Sequence, residues 1–336
     1  MEMIKRISIL GDGGWGTALA VLLAAKGFSL RMWSVSQEYA ATMARQRVNA
    51  KFLPGVRLPD NIQISADLAD VVSFGELLVV AVPSQYLRSA LRRLDTRGSV
   101  LRGKHILSVV KGIEEKTLMR MSEVIKDVWG GVCVSVLSGP TIAYEVARGV
   151  PTTAVAASSL ARERALLQDV FMTKRFRVYA GSDVIGVELG GSVKNVIAIA
   201  CGICDGLGFG ANTKAALLAR GLAEMGRLAR AKGARLQTIY GISGLGDLAT
   251  TCISRHSRNR GLGERIGRGE RLKDIMANMQ MVAEGVPTAK SVYRMGNICR
   301  VEMPITREVY NVLYKHKNPL RAVDDLMLRK KRRETV

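Results

Sequence analysis

A glycine-rich turn follows the first predicted strand of the chain directly. The apolar segment 6–11 has the pattern of a strand, and GDGGWG joins it to a helical run that begins at Gly14. In this strand–turn–helix context Gly11 permits a tight turn, Gly13 lets backbone N–H groups approach a pyrophosphate, and Gly16 lets the helix pack closely on the sheet. The phosphates would lie at the helix N-terminus, where unpaired N–H groups and the helix dipole favour anions. The turn therefore predicts a dinucleotide site, and the sequence carries no GxxxxGKS or GxxxxGKT motif of a P-loop NTPase.

Short apolar runs alternate with helical stretches through the first half of the chain, and this pattern predicts an α/β fold. Near-continuous apolar runs are typical of strands buried on both faces of a parallel sheet. The predicted strands are 6–11, 28–33, 77–82, 105–110, 132–137, 152–157 and 176–179. Helical periodicity dominates from about residue 185, over 183–204, 212–232, 261–278, 286–300 and 304–315. We therefore expect a Rossmann-like, doubly wound domain over 1–184, an all-α domain over 185–328 and a basic tail over 329–336.

Net charge leaves several function classes open. The chain of 336 residues carries 50 Lys and Arg against 29 Asp and Glu, which is a formal net charge of +21. Such an excess is compatible with a binder of nucleic acid or membrane surfaces, with an enzyme for anionic substrates, or with a generally basic proteome. Aromatic residues make up only 5% of the chain and no nucleic-acid-binding motif is recognised, so we expect no nucleic-acid partner.

The cysteines and the N-terminus favour a cytoplasmic protein. No apolar run approaches the roughly 20 residues that span a bilayer, and the first residues have the pattern of strand and turn rather than of a signal peptide. Five cysteines are an odd number, and the one CxxC, Cys201 to Cys204, lies in an apolar helical pattern without further ligands for a metal. We expect buried, reduced thiols and no metal site.

The residues after the second strand bear on the choice between NAD and NADP. An NAD site carries Asp or Glu at this point, and an NADP site often has an Arg nearby. This chain has Ser34, Val35 and Ser36 instead. Since the two serines could accommodate a 2′-phosphate, the sequence leans toward NADP, with NAD also accepted.

Two segments of the second half carry residues suited to catalysis and to anion binding. Lys194 lies in an apolar helical pattern, where loss of hydration would lower its pKa and suit it to proton transfer, although such a lysine can also extend to solvent. Asp247 lies in a glycine-rich loop. In SRHSRNR (254–260), Arg258 offers the planar fork that matches phosphate oxygens, with Ser257 and Asn259 as neutral donors. A solvated basic loop is the alternative interpretation of that segment.

Ten ordered motifs resemble the NAD(P)-dependent glycerol-3-phosphate dehydrogenase family, of the bacterial type, from Gly11 to about Leu328. They are GxGxWGTALA (11–20), NxxFLP (49–54), VVKGIE (109–114), LSGPTIAYEVA (137–147), ELGGSVKN (188–195), RGLAEM (220–225), SGLGDL (243–248), SRNR (257–260), VAEGVPT (282–288) and EMPI (302–305). The resemblance implies reversible reduction of dihydroxyacetone phosphate to sn-glycerol 3-phosphate with NADP or NAD, in supply of glycerophospholipid synthesis.

The resemblance also implies roles for individual residues. Lys194 matches the catalytic proton acceptor of the oxidative direction. The substrate-binding positions are Lys111, Gly139, Thr141, Lys194, Asp247, Ser257, Arg258 and Asn259. The cofactor-binding positions are Gly11, Gly13, Gly14, Trp15, Gly16, Phe52, Lys111, Ala143, Arg258, Val282 and Glu284. A homodimer is the assembly that the family implies.

Three positions depart from the family pattern, and two rival functions stay open. Thr141 stands for a frequent Ser, Gly14 stands where Ser is usual, and Ser34 or Val35 stands where Arg or His often supports a 2′-phosphate. Related two-domain dehydrogenases act on 2- or 3-hydroxy acids, whose carboxylate needs less positive charge than a phosphate. The basic tail suggests weak contact with anionic lipid, with a solvated end as the alternative.

Overall fold

The computed structural model describes residues 4–94, 99–279, 281–331 and 333–334. Its chain divides into two compact units. Unit 1 comprises the described parts of Met1–Lys111 and Met121–Val184, and unit 2 comprises those of Gly112–Arg120 and Ile185–Val336. Nothing in the sequence distinguished Gly112–Arg120 from the rest of the expected first domain, 1–184.

A mostly parallel sheet forms the centre of unit 1. In the described part of that unit its strands are β1 (Arg6–Leu10), β2 (Ser29–Trp33), β3 (Ile62–Ser65), β4 (Leu77–Val80), β5 (His105–Ser108), β6 (Val134–Ser138), β7 (Thr152–Ala157) and β8 (Phe176–Gly181). They lie in the order β3-β2-β1-β4-β5-β6-β7-β8, and the β6–β7 pair is antiparallel while all other pairs are parallel. The first six strands have the order of dinucleotide-binding domains, which confirms the predicted fold class.

Helices cover both faces of this sheet. They are α1 (Gly14–Ala25), α2 (Gln37–Gln46), α3 (Leu68–Phe74), α4 (Ser84–Leu91), α5 (Met121–Trp129), α6 (Ala143–Ala147) and α7 (Ala161–Phe171), with a 3₁₀ turn at Ser99–Leu101. Ile7 and Ile9 of β1 and Leu19 and Leu23 of α1 are fully buried in one core. Burial of each such side chain contributes roughly 1.5–3 kcal/mol. The core thereby fixes the glycine-rich turn that joins β1 to α1.

Unit 2 is helical. Its described helices are α8 (Val184–Gly206, whose first residue closes unit 1), α9 (Ala211–Ala231), α10 (Leu236–Tyr240), α11 (Asp247–Ile253), α12 (Arg258–Gly267), α13 (Leu272–Ala277), α14 (Gly285–Ile298), α15 (Pro304–Tyr314) and α16 (Pro319–Met327). A π-helical turn, Ile242–Gly246, leads into α11. The single helix predicted over 261–278 was wrong, because the chain breaks between α12 and α13 and Gly269 adopts φ +95°. That left-handed conformation favours glycine and ends a helix.

The segment Gly112–Arg120 is held by the helices of unit 2. Ser192 Oγ donates to the Gly112 carbonyl oxygen over 3.1 Å, and Ser291 Oγ donates to that of Ile113 over 3.1 Å. Arg120 forms a buried ion pair with Glu188. These contacts explain why the chain directly after Lys111 belongs to unit 2.

Helix α8 forms the buried centre of unit 2. By length and composition it could cross a membrane, but 89% of its apolar window is buried inside the protein. Glycines allow close approach to α12: a Cβ at Gly202 would collide with the Arg260 carbonyl oxygen, and one at Gly263 would collide with that of Ile199. The backbones of α8 and α12 are therefore in direct contact.

The predicted burial of the cysteines is confirmed for three of the five. Cys201, Cys204 and Cys252 are buried free thiols, as predicted, but Cys133 is exposed. Burial raises the pKa of the Cys204 thiol to about 12, so it stays protonated. The predicted basic tail, 329–336, lies partly outside the described residues, because 332, 335 and 336 are not among them.

Candidate functional site

The glycine-rich turn of unit 1 has the backbone geometry that its sequence predicts. Gly11 adopts φ +121°, and a Cβ there would lie 2.8 Å from the Ala81 carbonyl oxygen. A Cβ at Gly16 would collide with the Gly11 carbonyl oxygen, whereas no described atom lies within 4 Å of a Cβ at Gly13. Gly13 is the N-cap of α1 and has no side chain to satisfy the first N–H groups. The start of α1 is thus an open, electropositive helix end suited to a pyrophosphate.

Four predicted cofactor residues gather beside that helix end. A Cβ at Gly14 would lie 2.6 Å from the Phe52 carbonyl oxygen and 3.8 Å from the Ala143 Cβ. Trp15 packs in the same small apolar cluster as Ala143, and its indole Nε1 is buried without a hydrogen-bond partner among the described residues. Gly14 therefore permits close packing, because a side chain at this position would clash with the Phe52 carbonyl oxygen.

A buried asparagine fastens the loop of Phe52 to the glycine turn. Asn49 Nδ2 donates to the Asp12 carbonyl oxygen and to Thr17 Oγ1, each over 2.7 Å. Its Oδ1 accepts from Tyr39 Oη over 2.7 Å and from the Phe52 N–H over 3.1 Å. Asn49 begins the motif NxxFLP, whose sequence alone indicated no role for it. Its full burial identifies it as the residue that positions this loop.

The serines after β2 are both engaged within the protein. Ser34 Oγ donates to Asp12 Oδ2 over 2.6 Å, and Ser36 Oγ accepts from the Tyr39 N–H as the N-cap of α2. Burial raises the pKa of the Asp12 carboxyl, while the Ser34 hydroxyl and the Lys51 ammonium act in the opposite direction. Asp12 was missed in the sequence analysis because its side chain is brought to Ser34 only by the fold.

Lys111 forms a second cluster in unit 1. Its Nζ donates to the Gly139 carbonyl oxygen over 2.8 Å and to Thr141 Oγ1 over 3.1 Å. Thr141 Oγ1 also donates to the Gly139 carbonyl oxygen over 3.0 Å. The fold thus brings Lys111 to two other predicted substrate residues, which lie 28 and 30 positions later in the sequence, and it fixes the direction of the ammonium group.

Lys194 lies at the centre of α8 and forms an ion pair with Asp247 of α11. The side chains are 6% and 1% exposed, so water competes weakly for this pair. Lys194 Nζ also donates to Thr251 Oγ1 over 2.7 Å, and that hydroxyl donates to the Asp247 carbonyl oxygen over 2.6 Å. The alternative of a lysine that extends to solvent is wrong. Thr251 stands in the sequence next to the predicted loop, but only the helical turn of α11 shows that it faces Lys194.

A glycine in α8 makes this pairing geometrically accessible. A Cβ at Gly190 would lie 2.7 Å from the Ser243 carbonyl oxygen, which belongs to the π-helical turn ahead of α11. The turn therefore packs against the α8 backbone, one helical turn before Lys194. Asp247 begins α11 directly after this turn. The motifs ELGGSVKN and SGLGDL thus form one structural unit.

Ser257, Arg258 and Asn259 form the N-terminus of α12. Ser257 is the N-cap, and its Oγ accepts from the Arg260 N–H over 3.2 Å. Arg258 Nη1 donates to the Val282 carbonyl oxygen over 3.0 Å. Atoms packed around the guanidinium lower the pKa of Arg258 and the Glu284 carboxylate opposes this, so the group stays cationic. With no acidic residue in the first turn, this helix end suits an anion.

Asn259 links the arginine segment to the lysine. Its Oδ1 accepts from the Gly285 N–H over 2.9 Å, which directs the amide NH₂ group away from that bond. A Cβ at Gly285 would lie 2.9 Å from the Asn195 carbonyl oxygen, directly after Lys194. Unit 2 therefore holds a buried ammonium group and a cationic helix end in one connected arrangement. Such an arrangement can exchange a proton with a substrate oxygen and bind a phosphate.

Comparison with known proteins finds two family models along the chain. The model described as NAD-dependent glycerol-3-phosphate dehydrogenase N-terminus matches residues 6–164, and the C-terminus model of that family matches residues 183–324. A glycerol-3-phosphate dehydrogenase (NAD(P)+) of Pelodictyon phaeoclathratiforme is 49% identical, over 98% of this chain and 99% of the relative. One of Salinibacter ruber is 46% identical over 99% of this chain and 97% of the relative.

Solved structures agree with these sequence matches. The crystal structure of glycerol-3-phosphate dehydrogenase from Coxiella burnetii superposes with a TM-score of 0.91 at 37% identity, and covers 96% of this chain and 99% of that one. A glycerol-3-phosphate dehydrogenase from Plasmodium falciparum superposes with a TM-score of 0.86 at 27% identity, over 98% and 96% of the two chains.

Proposed function

The chain belongs to the NAD-dependent glycerol-3-phosphate dehydrogenase family, and we propose that it interconverts dihydroxyacetone phosphate and sn-glycerol 3-phosphate through the Lys194–Asp247 pair. The chain is an oxidoreductase that uses NAD(P)+. The observation that carries the proposal is the buried ammonium group of Lys194, held by a carboxylate and a hydroxyl within a family member.

Lys194 supplies the proton in the reductive direction. As the ketone carbon gains a hydride, negative charge develops on the carbonyl oxygen, and a positioned N–H donor neutralises it by transferring a proton. In the oxidative direction the neutral amine takes the proton from the alcohol. Asp247 and Thr251 hold Nζ in place, so the direction of the donor is set before substrate binds.

The N-terminus of α12 holds the phosphate of the substrate. Arg258 contributes a cationic fork, while Ser257 and the oriented amide of Asn259 contribute neutral donors at the same helix end. Lys111 of unit 1, whose Nζ donates to the Gly139 carbonyl oxygen and to Thr141 Oγ1, is a further substrate residue that the family resemblance implies. Three donors at one helix end match the three terminal oxygens of a phosphate better than the two oxygens of a carboxylate.

The dinucleotide is held by unit 1, where the residues present fit it. Gly13 leaves open space at an uncapped helix end, and the buried Trp15 N–H beside it has no partner in the part of the chain that the structure describes. Gly11, Gly14 and Gly16 permit the close packing of the turn, and Phe52 and Ala143 border it. When bound, the nicotinamide group supplies or accepts the hydride. The other positions that the family resemblance assigns to the cofactor are Lys111 of unit 1 and Arg258, Val282 and Glu284 of unit 2.

The proposal is tested by steady-state kinetics of Lys194→Ala with dihydroxyacetone phosphate. Loss of a positioned proton donor lowers kcat by roughly 10²- to 10⁴-fold. Dinucleotide binding, measured by titration of protein fluorescence, should be retained, because the glycine-rich turn lies in unit 1 and Lys194 lies in unit 2.

A matched control is Lys317→Ala. Lys317 also pairs with carboxylates in unit 2, those of Glu308 and Asp325, and its side chain is 21% exposed. Its kcat should stay within a few-fold of the wild-type value. Turnover by Lys194→Ala at the rate of this control would contradict the assignment of the proton donor.

A further inference from the structure

The end of β2 is where domains of this topology distinguish NAD from NADP. In NAD sites an acidic side chain accepts a hydrogen bond from the 2′-hydroxyl of the adenosine ribose, and in NADP sites an Arg nearby binds the 2′-phosphate. Here β2 ends at Trp33 and is followed by Ser34, Val35 and Ser36, none of them acidic. The carboxylate at this place comes instead from the glycine-rich turn, because Ser34 Oγ donates to Asp12 Oδ2 over 2.6 Å.

The position of Asp12 is set by the surrounding backbone contacts. Its carbonyl oxygen accepts from Asn49 Nδ2 over 2.7 Å and from Thr17 Oγ1 over 3.2 Å. The next residue, Gly13, caps α1, so Asp12 lies between the pyrophosphate end of the site and the end of β2. Its side chain is partly exposed, and a carboxylate offers about four acceptor positions. A ribose hydroxyl can therefore bind to Asp12 in addition to Ser34.

The serines offer little to a 2′-phosphate. Ser34 is 0% exposed and its hydroxyl donates to Asp12, while the Ser36 hydroxyl caps α2. Val35, between them, is 65% exposed and apolar. The observation that led the sequence analysis toward NADP, two small polar residues after β2, thus has a structural explanation that involves no phosphate.

We propose that Asp12 determines cofactor specificity: its carboxylate accepts a hydrogen bond from the ribose 2′-hydroxyl and repels a 2′-phosphate, so that the enzyme prefers NADH to NADPH. The inference rests on the dinucleotide site of the proposed function and adds to it which dinucleotide is favoured. It concerns Asp12 of the GDGG sequence, at a position between two glycines of the turn.

Two cations lie near this site and would favour NADPH, because a positive charge attracts the 2′-phosphate. Lys51 acts on the Asp12 carboxyl electrostatically, and its Nζ lies 5.0 Å from the Phe52 ring centroid. The Arg93 guanidinium lies 5.4 Å from the Trp33 ring centroid. Asp12 lies more directly at the residue after β2, because Ser34 Oγ donates to its carboxylate and to the Ser36 carbonyl oxygen, and neither cation is among the described partners of Ser34.

The test is binding of NADH and NADPH to the full-length protein, each followed by fluorescence titration without substrate. The wild type should bind NADH at least about tenfold more tightly than NADPH. In Asp12→Asn the amide oxygen still accepts from Ser34, but the charge that repels the phosphate is gone. The ratio of the two dissociation constants should then fall by roughly tenfold. Asp60→Asn is the control, since the Asp60 side chain is 89% exposed on the same unit, and it should leave the ratio unchanged.

Several outcomes would overturn the proposal. Tighter binding of NADPH by the wild type would do so, and a selective loss of NADPH affinity in Lys51→Ala or Arg93→Ala would then identify the cation responsible. An unchanged ratio in Asp12→Asn would also overturn it. Because binding is measured without dihydroxyacetone phosphate, a protein that selects NADH through Asp12 but fails to reduce that ketone would support this inference while contradicting the proposed function.

Discussion

At the scale of single residues, the side chains that we propose for catalysis and cofactor binding are positioned by neighbours that no motif identifies. Thr251 orients Lys194, and Asn49 ties the Phe52 loop to the glycine-rich turn. Threonine and asparagine are common in loops and at helix ends, so the sequence alone did not single out either residue. Their roles become visible only when the fold brings distant parts of the chain together.

Arg258 is the residue on which phosphate affinity should depend most. We expect Arg258→Ala to raise KM for dihydroxyacetone phosphate by roughly 10- to 100-fold, because charge-assisted hydrogen bonds contribute about 1.5–3 kcal/mol. The control is Arg271→Ala, since Arg271 is 83% exposed in the same unit and pairs only locally with Asp274. Steady-state kinetics with saturating cofactor measures both variants. Equal KM values in the two variants would remove Arg258 from the phosphate site.

The candidate functional residues can be identified from the sequence, but most of their side-chain partners cannot. Lys194, Asp247 and the arginine segment were all identified from the sequence, and the fold brings them together within unit 2. The hydrogen bond from Ser34 to Asp12 could not be inferred from the sequence, because the two residues are 22 positions apart and meet where neighbouring strands end. Side-chain partners of this kind depend on strand order and register.

At the scale of secondary-structure elements, contact between α8 and α12 connects Lys194 to the helix end that we propose to bind the phosphate. Gly202 and Gly206 on α8 face Gly263 and Gly267 on α12, and a Cβ at any of these positions would collide with the backbone of the other helix. Small residues at this spacing let two helices approach more closely than the usual 8–10 Å between axes.

A methyl group at this contact should loosen unit 2. Gly202→Ala is expected to lower stability by about 1–3 kcal/mol, the range for overpacking, since the Arg260 carbonyl oxygen blocks the new Cβ. Gly261→Ala in α12 is the control, because no described atom lies within 4 Å of its Cβ and alanine favours a helix by up to about 1 kcal/mol. Thermal unfolding compares the two. A lower midpoint for Gly261→Ala than for Gly202→Ala would contradict the close contact.

Glu224 of α9 stabilises the start of α15, and its titration makes the stability of the fold depend on pH. Its carboxyl oxygens accept from the Ile305 N–H over 2.5 Å and from the Thr306 N–H over 3.1 Å, and burial raises its pKa from 4.5 to about 7. The folded state therefore binds the proton more tightly than the unfolded state. The resulting stability is complete below pH 4.5 and is lost as the pH rises through about 7.

Glu224→Gln should remove this dependence, because the amide oxygen still accepts and carries no charge. The free energy of unfolding of the wild type should fall by roughly 3 kcal/mol relative to the variant between pH 4 and pH 8. Urea denaturation at both pH values measures the difference, with Glu38→Gln, exposed at the first turn of α2, as the control. A pH-independent difference between wild type and Glu224→Gln would contradict the raised pKa.

Element predictions succeeded where the periodicity was strong. Seven predicted strands are present within two residues of their expected bounds, and the eighth, β3, was missed because it is a four-residue edge strand with alternating polar residues. The stretch between α9 and α12 holds α10, the π-helical turn and α11, which were also missed. Glycine-rich sequence there suggested a loop. In the structure the π-helical turn packs against α8, and α10 and α11 pack against α9.

At the scale of the whole molecule, the net charge of +21 is distributed far beyond the site. The proposed substrate contacts account for Lys111, Arg258 and Lys194, and the charge of the last is balanced by Asp247. The remaining excess gives the protein a positive field that attracts small anions and is screened by salt. A phosphate-bearing substrate and a dinucleotide both fit such a field, so the charge is consistent with the enzyme without being explained by it.

The most direct test of the account is the initial rate of NADH oxidation by the purified protein with dihydroxyacetone phosphate, compared with a three-carbon 2-keto acid without phosphate. The proposed phosphate contacts of Ser257, Arg258 and Asn259 predict a kcat/KM about 10³-fold higher for dihydroxyacetone phosphate. The hydrogen bond from the Arg258 cation contributes about 1.5–3 kcal/mol and each neutral one about 1 kcal/mol, which is about 4 kcal/mol together. Equal or faster turnover of the keto acid would contradict the account.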